Sequence, residues 1–123
     1  MGCDLHGTIE TRDKRGGLYK CECILNRPNR NYRIFSVMAD VRNSFDITPI
    51  SKPRGLPKDI TRKTFLTHFR FGLDAHSESY LSYQEMKSII TRSCDPCYKA
   101  ILAYMGVFEK DGYETRLVFW FDN

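Results

Sequence analysis

The amino-acid sequence predicts an α+β fold: a small three-stranded sheet, antiparallel or mixed, built from an N-terminal hairpin and a C-terminal strand, with three to four helices packed on one face. Three observations lead there. Residues 3–12 and 114–121 alternate apolar and polar side chains with the period of a half-buried strand. Between them, apolar residues recur at spacings of three and four, as on a helix with one buried face. The order strand, strand, helices, strand opposes a doubly wound parallel sheet, in which strands and helices alternate.

The first strand puts Cys3, Leu5, Gly7 and Ile9 on one side and Asp4, His6, Thr8 and Glu10 on the other. Asp13-Lys14-Arg15-Gly16-Gly17 supplies a turn, and Leu18 to Leu25 reads as the returning strand. Ile34, Val37, Met38 and Val41 then define a helix over Tyr32–Arg42 with Asn31 as its N-cap. Asn43–Lys58 holds Pro49, Pro53, Gly55 and Pro57 and is expected to be a long irregular loop. A weaker helix from Ile60 to Phe71 places Phe65 and Phe69 on one face and stops at Gly72.

Asp74-Ala75-His76-Ser77-Glu78-Ser79 reads as a polar loop between helices. Ser82 and Glu85 have the spacing of a capping box ahead of Met86, Ile89 and Ile90. Asp95 fits an N-cap and Pro96 the first helical position of a helix running to about Met105, burying Ile101, Leu102 and Met105. Lys110-Asp111-Gly112 turns the chain into the final strand, Glu114–Phe121.

Length and composition narrow the function classes. With 123 residues, 41% hydrophobic and 28% charged, the chain supports one core, so a single domain over 1–123 is expected. No segment approaches the roughly 20 apolar residues of a membrane helix, and the start carries acid and histidine where a signal peptide carries basic and apolar runs. A cytoplasmic protein without a membrane partner is expected. His6 also stands where the myristoylation pattern asks for Ser or Thr. The net charge of +4 suits an anionic ligand without requiring nucleic acid. Arg27-Pro28-Asn29-Arg30-Asn31-Tyr32-Arg33 is the densest basic stretch, either a solvated loop or one that contacts phosphate.

The five cysteines are expected to be reduced packing residues. Cys94-x-x-Cys97 at a helix start is the alternative redox pair. With Cys21 and Cys23, whose thiols should leave a strand on the same side, it is an alternative zinc site. Nucleotide-binding glycine motifs, a nucleophile elbow and His-Glu-x-x-His are missing, which disfavours the standard nucleotide-binding and hydrolase folds.

Asp4 and His6 project from one side of their strand and are suited to hold a metal, to act as base and orienter, or simply to interact on a wet surface. Arg116, Val118, Trp120 and Asp122 share one face of the last strand. Pairing of the two strands would bring Asp122 or Arg116 beside Asp4 and His6.

The chain as a whole resembles a family of small uncharacterised bacteriophage proteins that begin Met-Gly-Cys-Asp-x-His and end Phe-Asp-Asn. The matching pieces are Gly2–His6, Arg30-Asn31-Tyr32, Ala39–Asn43, Pro53–Pro57, His76-Ser77, Ser79–Leu81 and Val118–Asn123. The resemblance implies a phage accessory protein of the infected bacterial cytoplasm and no particular reaction. Its pieces coincide with the polar positions isolated above, which favours a pocket of Asp4, His6, Arg42, His76 and Asp122.

Three functions follow as expectations. The first is binding of an anionic, nucleotide-like small ligand, a host defence signal among the possibilities. Arg30, Arg42, Arg54 and His76 would supply charge, with Tyr32 and Ser77 beside them. The second is a metal-dependent hydrolase in which Asp4, His6 and Asp122, joined by His76, hold a divalent metal ion, the only cofactor the sequence suggests. The third is an inhibitor that covers a host bacterial protein through the Asn43–Lys58 loop. Nothing in the pattern opposes assembly into a homo-oligomer.

Overall fold

The hairpin forms where the alternation places it. In the computed structural model, which describes residues 2–91, 93 and 95–123, strand β1 spans Asp4–Asp13 and β2 spans Lys20–Ile24. Helix α1 (Tyr32–Ala39) starts on Asn31, whose side chain accepts from the Ile34 N–H. It ends short of Arg42 because Asp40, with φ 59°, takes the left-handed conformation and closes the helix on Phe35 and Ser36 carbonyls.

Residues 41–60 contain no helix or strand, as their prolines predict. Helix α2 (Arg62–Phe69) begins on the Thr61 cap, and a 3-10 turn, Gly72–Asp74, follows it. Helix α3 (Tyr83–Ile90) carries the complete Ser82–Glu85 capping box. Helix α4 (Pro96–Lys110) starts on Asp95 and Pro96 as read, and continues past Met105 until the Asp111-Gly112 turn.

The sheet has a fourth strand where a polar loop was expected. Residues His76–Ser82 form β3, which pairs antiparallel with β4 (Tyr113–Asp122), giving the order β2-β1-β4-β3 with all neighbours antiparallel. Alternation fails to signal β3 for a local reason. Ser77 has φ 57° and the register shifts between His76 and Ser79, so the period of two is broken within a strand of seven residues. The loop before α2 also runs along its outer edge, with the Gly55 N–H donating to the Glu78 carbonyl at 2.8 Å.

The core lies on one side of this sheet. Leu5 and Ile9 of β1, Leu117, Phe119 and Phe121 of β4, and Leu81 of β3 meet α1, α3 and α4 through Phe35, Met38, Met86, Ile90 and Met105. Burying each such side chain contributes about 1.5–3 kcal/mol. Gly7 is required here, since a Cβ at that position would run into the Val118 carbonyl. Buried Tyr98 donates its hydroxyl to the Asn29 carbonyl at 2.6 Å and ties the basic loop to α4.

Helices occupy both faces, not one. Thr64 of α2 meets Thr8, and His68 meets Trp120, on the side of the sheet opposite Leu5 and Phe121. The residues buried there are polar. Arg116 lies across from Glu10, reaches it through Nε at 2.8 Å, and also binds Asp59 through Nη1 at 2.8 Å, under the Tyr19 ring at 3.6 Å. Glu10 in turn accepts from the Thr61 N–H and hydroxyl. The Glu10 and Arg116 charges are each met by hydrogen-bonding partners, the condition under which a buried ion pair is tolerated.

Replacing Arg116 by Met should therefore leave the Glu10 carboxylate buried without its cation. Urea unfolding is expected to show a loss of about 3–5 kcal/mol, with the Glu10→Leu/Arg116→Met double variant recovering a large part of it.

Candidate functional site

The pairing of β1 with β4 decides which of the flagged residues meet. Asp4 stands across from Asp122 and His6 from Trp120. His6 Nε2 donates to Asp122 Oδ1 at 2.7 Å, and the Phe71 ring packs against the imidazole with centroids 4.3 Å apart. Arg116 does not join them: the same register sends it to Glu10, six residues along β1 from Asp4. Asp4 faces Arg30 instead, with Nε to Oδ1 at 2.7 Å, and this hydrogen bond holds the Asp4 carboxyl below the usual carboxylate range.

Behind Asp4 the basic loop closes over the start of β1. The Cys3 N–H donates to the Tyr32 hydroxyl at 3.1 Å, and the Arg42 guanidinium lies over the Tyr32 ring at 5.3 Å. Arg30 covers Gly2 so closely that a Cβ there would collide with its guanidinium. Burial raises the pKa of the Cys3 thiol, while Arg42, Asp122, Asp4 and Arg30 all act on it through space. Arg42 itself has φ 51°. Two of the flagged positions, Arg42 and Ser77, thus sit in a backbone conformation that is uncommon outside glycine and enriched at functional sites.

His76 reaches the same end of the sheet from β3. It pairs across from Phe121, stacks on that ring, and bonds Asn123 Oδ1 through Nε2 at 3.1 Å and Ser77 Oγ through Nδ1 at 3.0 Å. Arg54 is the exception among the flagged residues. It binds Glu85 through both terminal nitrogens, at 2.9 and 2.6 Å, and the Tyr80 carbonyl at 3.0 Å, farther along β3 toward Ser82. There it lines a shallow cavity of about 340 Å³ with Tyr19, Glu114 and Arg116.

Asp4, His6 and Asp122 share one end of the sheet without forming a metal-holding set. Among the described residues no three His, Cys, Asp or Glu side chains come together in that way. Asp4 is turned to Arg30 and His6 to Asp122. The cysteine alternatives separate as well. A bulge at Glu22 puts Cys21 across from Glu10 and Cys23 across from Ile9, so the two thiols leave β2 on opposite faces rather than the same one. Cys3, Cys21, Cys23 and Cys97 are free thiols, and Cys94 lies outside the described residues.

Sequence reasoning missed a second histidine–carboxylate pair beside the first. His68 Nε2 bonds Glu78 Oε2 at 2.8 Å, and its ring meets Trp120 edge-on at 5.0 Å, while Phe71 meets the same indole from 5.7 Å. Burial opposes ionisation of Glu78, yet the hydrogen bond from His68 and one from the backbone keep its pKa below normal. Trp120 is buried and its Nε1 is without a hydrogen-bond partner among the described residues. The spacing of Thr61, Thr64 and His68 on one side of α2 was the available signal, and it was obscured by Phe65 and Phe69 on the other.

The Arg54–Glu85 pair sets a pH dependence. The hydrogen bond from Arg54 lowers the Glu85 pKa from 4.5 to about 2. A carboxylate depressed in the folded state stabilises fully above its unfolded pKa, and that stability is lost as pH falls from about 4.5 toward 2. Thermal unfolding across that window should show the wild-type chain losing on the order of 1 kcal/mol that Glu85→Gln lacks at every pH, after allowance for solvent screening.

Comparison with protein-family models, with curated proteins and with solved structures gives no match to this chain.

Proposed function

We propose that this chain is a phage accessory protein of the infected bacterial cytoplasm that binds a small anionic, nucleotide-like ligand at the Cys3 end of β1, host defence signals being one such class. The observation that carries the reading is the gathering of Arg30, Arg42, Asp4 and Asp122, from four separate segments, at the start of β1: Arg30 binds Asp4, Asp4 stands across from Asp122, and Arg42 lies over the Tyr32 ring whose hydroxyl accepts from the Cys3 N–H. His6 and His76 flank them through Asp122 and Asn123.

Such a mixed set suits a nucleotide better than a bare anion. Guanidinium groups recognise phosphate by paired hydrogen bonds, and carboxylates accept from the amino groups of a base. The Asp4–Arg30 pair is half in water, where ion pairs contribute little, so Arg30 can exchange its carboxylate for a phosphate at small cost. Arg54 is left out of this site and assigned to holding the 53–55 segment on β3.

The test is thermal shift of the purified chain against mono-, di- and cyclic dinucleotides and their nucleosides. A phosphate-bearing compound at about a hundred times its Kd should add about 2.7 kcal/mol of stability, the matching nucleoside should add little, and Arg42→Ala should weaken binding at least tenfold. If no phosphate compound shifts the melting temperature at millimolar concentration, the proposal fails.

A second reading, a metal-dependent hydrolase, is favoured by one observation, the His6–Asp122 bond, because a carboxylate that orients an imidazole is the usual support of a metal-ligating or basic histidine. Metal content and phosphodiester hydrolysis should both fall with Asp4→Ala and His6→Ala if that reading holds, and neither should change if it does not.

A further inference from the structure

Helix α2 is amphipathic in the reverse sense. Thr64 and His68, with Thr61 before the helix and Phe71 after it, form the stripe that meets the sheet, through Thr8, Glu10, Trp120 and His6. The apolar stripe points away. Phe65 is 46% exposed, Leu66 44%, Phe69 69% and Leu73, on the 3-10 turn, fully exposed. At roughly 150–250 Å² for a large side chain, the four expose on the order of 500 Å², the scale of the largest and often functional patch on a monomer. An exposed stripe costs solubility, and the inward polar bonds do not require it, since Ser, Lys or Glu would serve equally well on a solvated face.

The rim of this stripe is mainly cationic, with the exposed acid Asp74 beside Leu73. Arg62 and Lys63 in the first turn, Arg70 at the C-cap and Lys58 ahead of the helix are exposed, and none of them forms an ion pair among the described residues. That charge selects among occupants. A second copy seated on the same face would bring two mainly cationic rims together in an isologous contact. A single nucleic-acid strand needs open ring faces to stack on, whereas Phe65 and Phe69 already stack on one another with centroids 6.1 Å apart at 29°. Apolar anchors ringed by unpaired cations complement a protein segment with apolar side chains ringed by carboxylates.

We propose that the outward face of α2, with Phe65, Leu66, Phe69 and Leu73 as anchors, docks an acidic amphipathic segment of a partner protein. The interface thereby moves from the Asn43–Lys58 loop to the helix after it. It lies apart from the Arg30/Arg42 site and stands whether or not that site binds a nucleotide.

The probe is a designed helical peptide with leucines on one face flanked by glutamates, and its twin with lysines in place of the glutamates, both titrated against the full chain by fluorescence anisotropy. The acidic peptide should bind with an affinity that falls as salt rises. Phe69→Ser/Leu73→Ser should weaken it by about tenfold or more, and Arg62→Glu/Arg70→Glu by a similar factor, with melting temperatures unchanged because all four side chains face solvent. Absence of binding by the acidic peptide, equal binding of the lysine twin, or full binding to the Ser variants would each overturn the proposal. So would capture of phosphatidylserine vesicles or a thymidine oligonucleotide by the same face when the acidic peptide is not bound.

Discussion

The antiparallel ladder between β1 and β4 is the constraint on which the rest of the molecule depends. It runs unbroken from Asp4 across from Asp122 to Asp13 across from Tyr113, joining the first strand of the chain to the last. Because side chains alternate, this one register settles two faces together. Leu5 and Ile9 are aligned with Phe121 and Leu117 for the core, while Asp4, His6 and Glu10 are aligned with Asp122, Trp120 and Arg116 for the polar side. A slip of one residue would turn over the side chains of the strand that moved. Since Glu10 or Arg116 would then face the apolar helices without the other, the ion pair and the core enforce the same alignment.

Much of this was legible because local rules and the global fold agree. The β1 alternation, the Asn31 and Asp95 caps and the Ser82–Glu85 box each report a short-range hydrogen bond or period that the finished structure keeps. What stayed hidden was set by distant residues. Strand β3 exists because β4 offers it an edge, and its own residues, with Ser77 in the left-handed region, carry too little alternation to announce it. The meeting of His6 with Asp122 was legible only as a conditional, because register is a property of two strands and neither fixes it alone. The bulge that separates Cys21 from Cys23 was equally silent, since a single inserted residue leaves no mark on composition.

The candidate site was half readable for the same reason. Arg30, Tyr32 and Arg42 lie close in sequence, on and around α1, and stay together. Arg54 shares their chemistry but belongs to a segment pinned along β3, so charge type alone could not separate it from the others. The His68–Glu78 pair brings together a helix and a strand whose contact depends on a fold that had one strand fewer in the sequence reading.

The orientation of α2 follows from the ladder as well. A helix of eight residues whose apolar side chains are Phe65, Leu66 and Phe69 would normally bury them, and this one buries only Thr64 completely. The surface it meets explains the inversion. The β1–β4 register has already filled that face with Glu10, Arg116, Thr8, His6 and Asp122, and a helix laid over it must answer each donor and acceptor or leave it unpaired in a dry layer. Phenylalanine could not answer them; Thr61 answers Glu10, Thr64 answers Thr8, and His68 answers Glu78 on the neighbouring β3. Once the polar stripe of α2 is committed inward, helical geometry leaves the apolar stripe no place but outside. The helix is consequently held by directional bonds instead of apolar burial, and which of its sides faces solvent is set by how the sheet is paired.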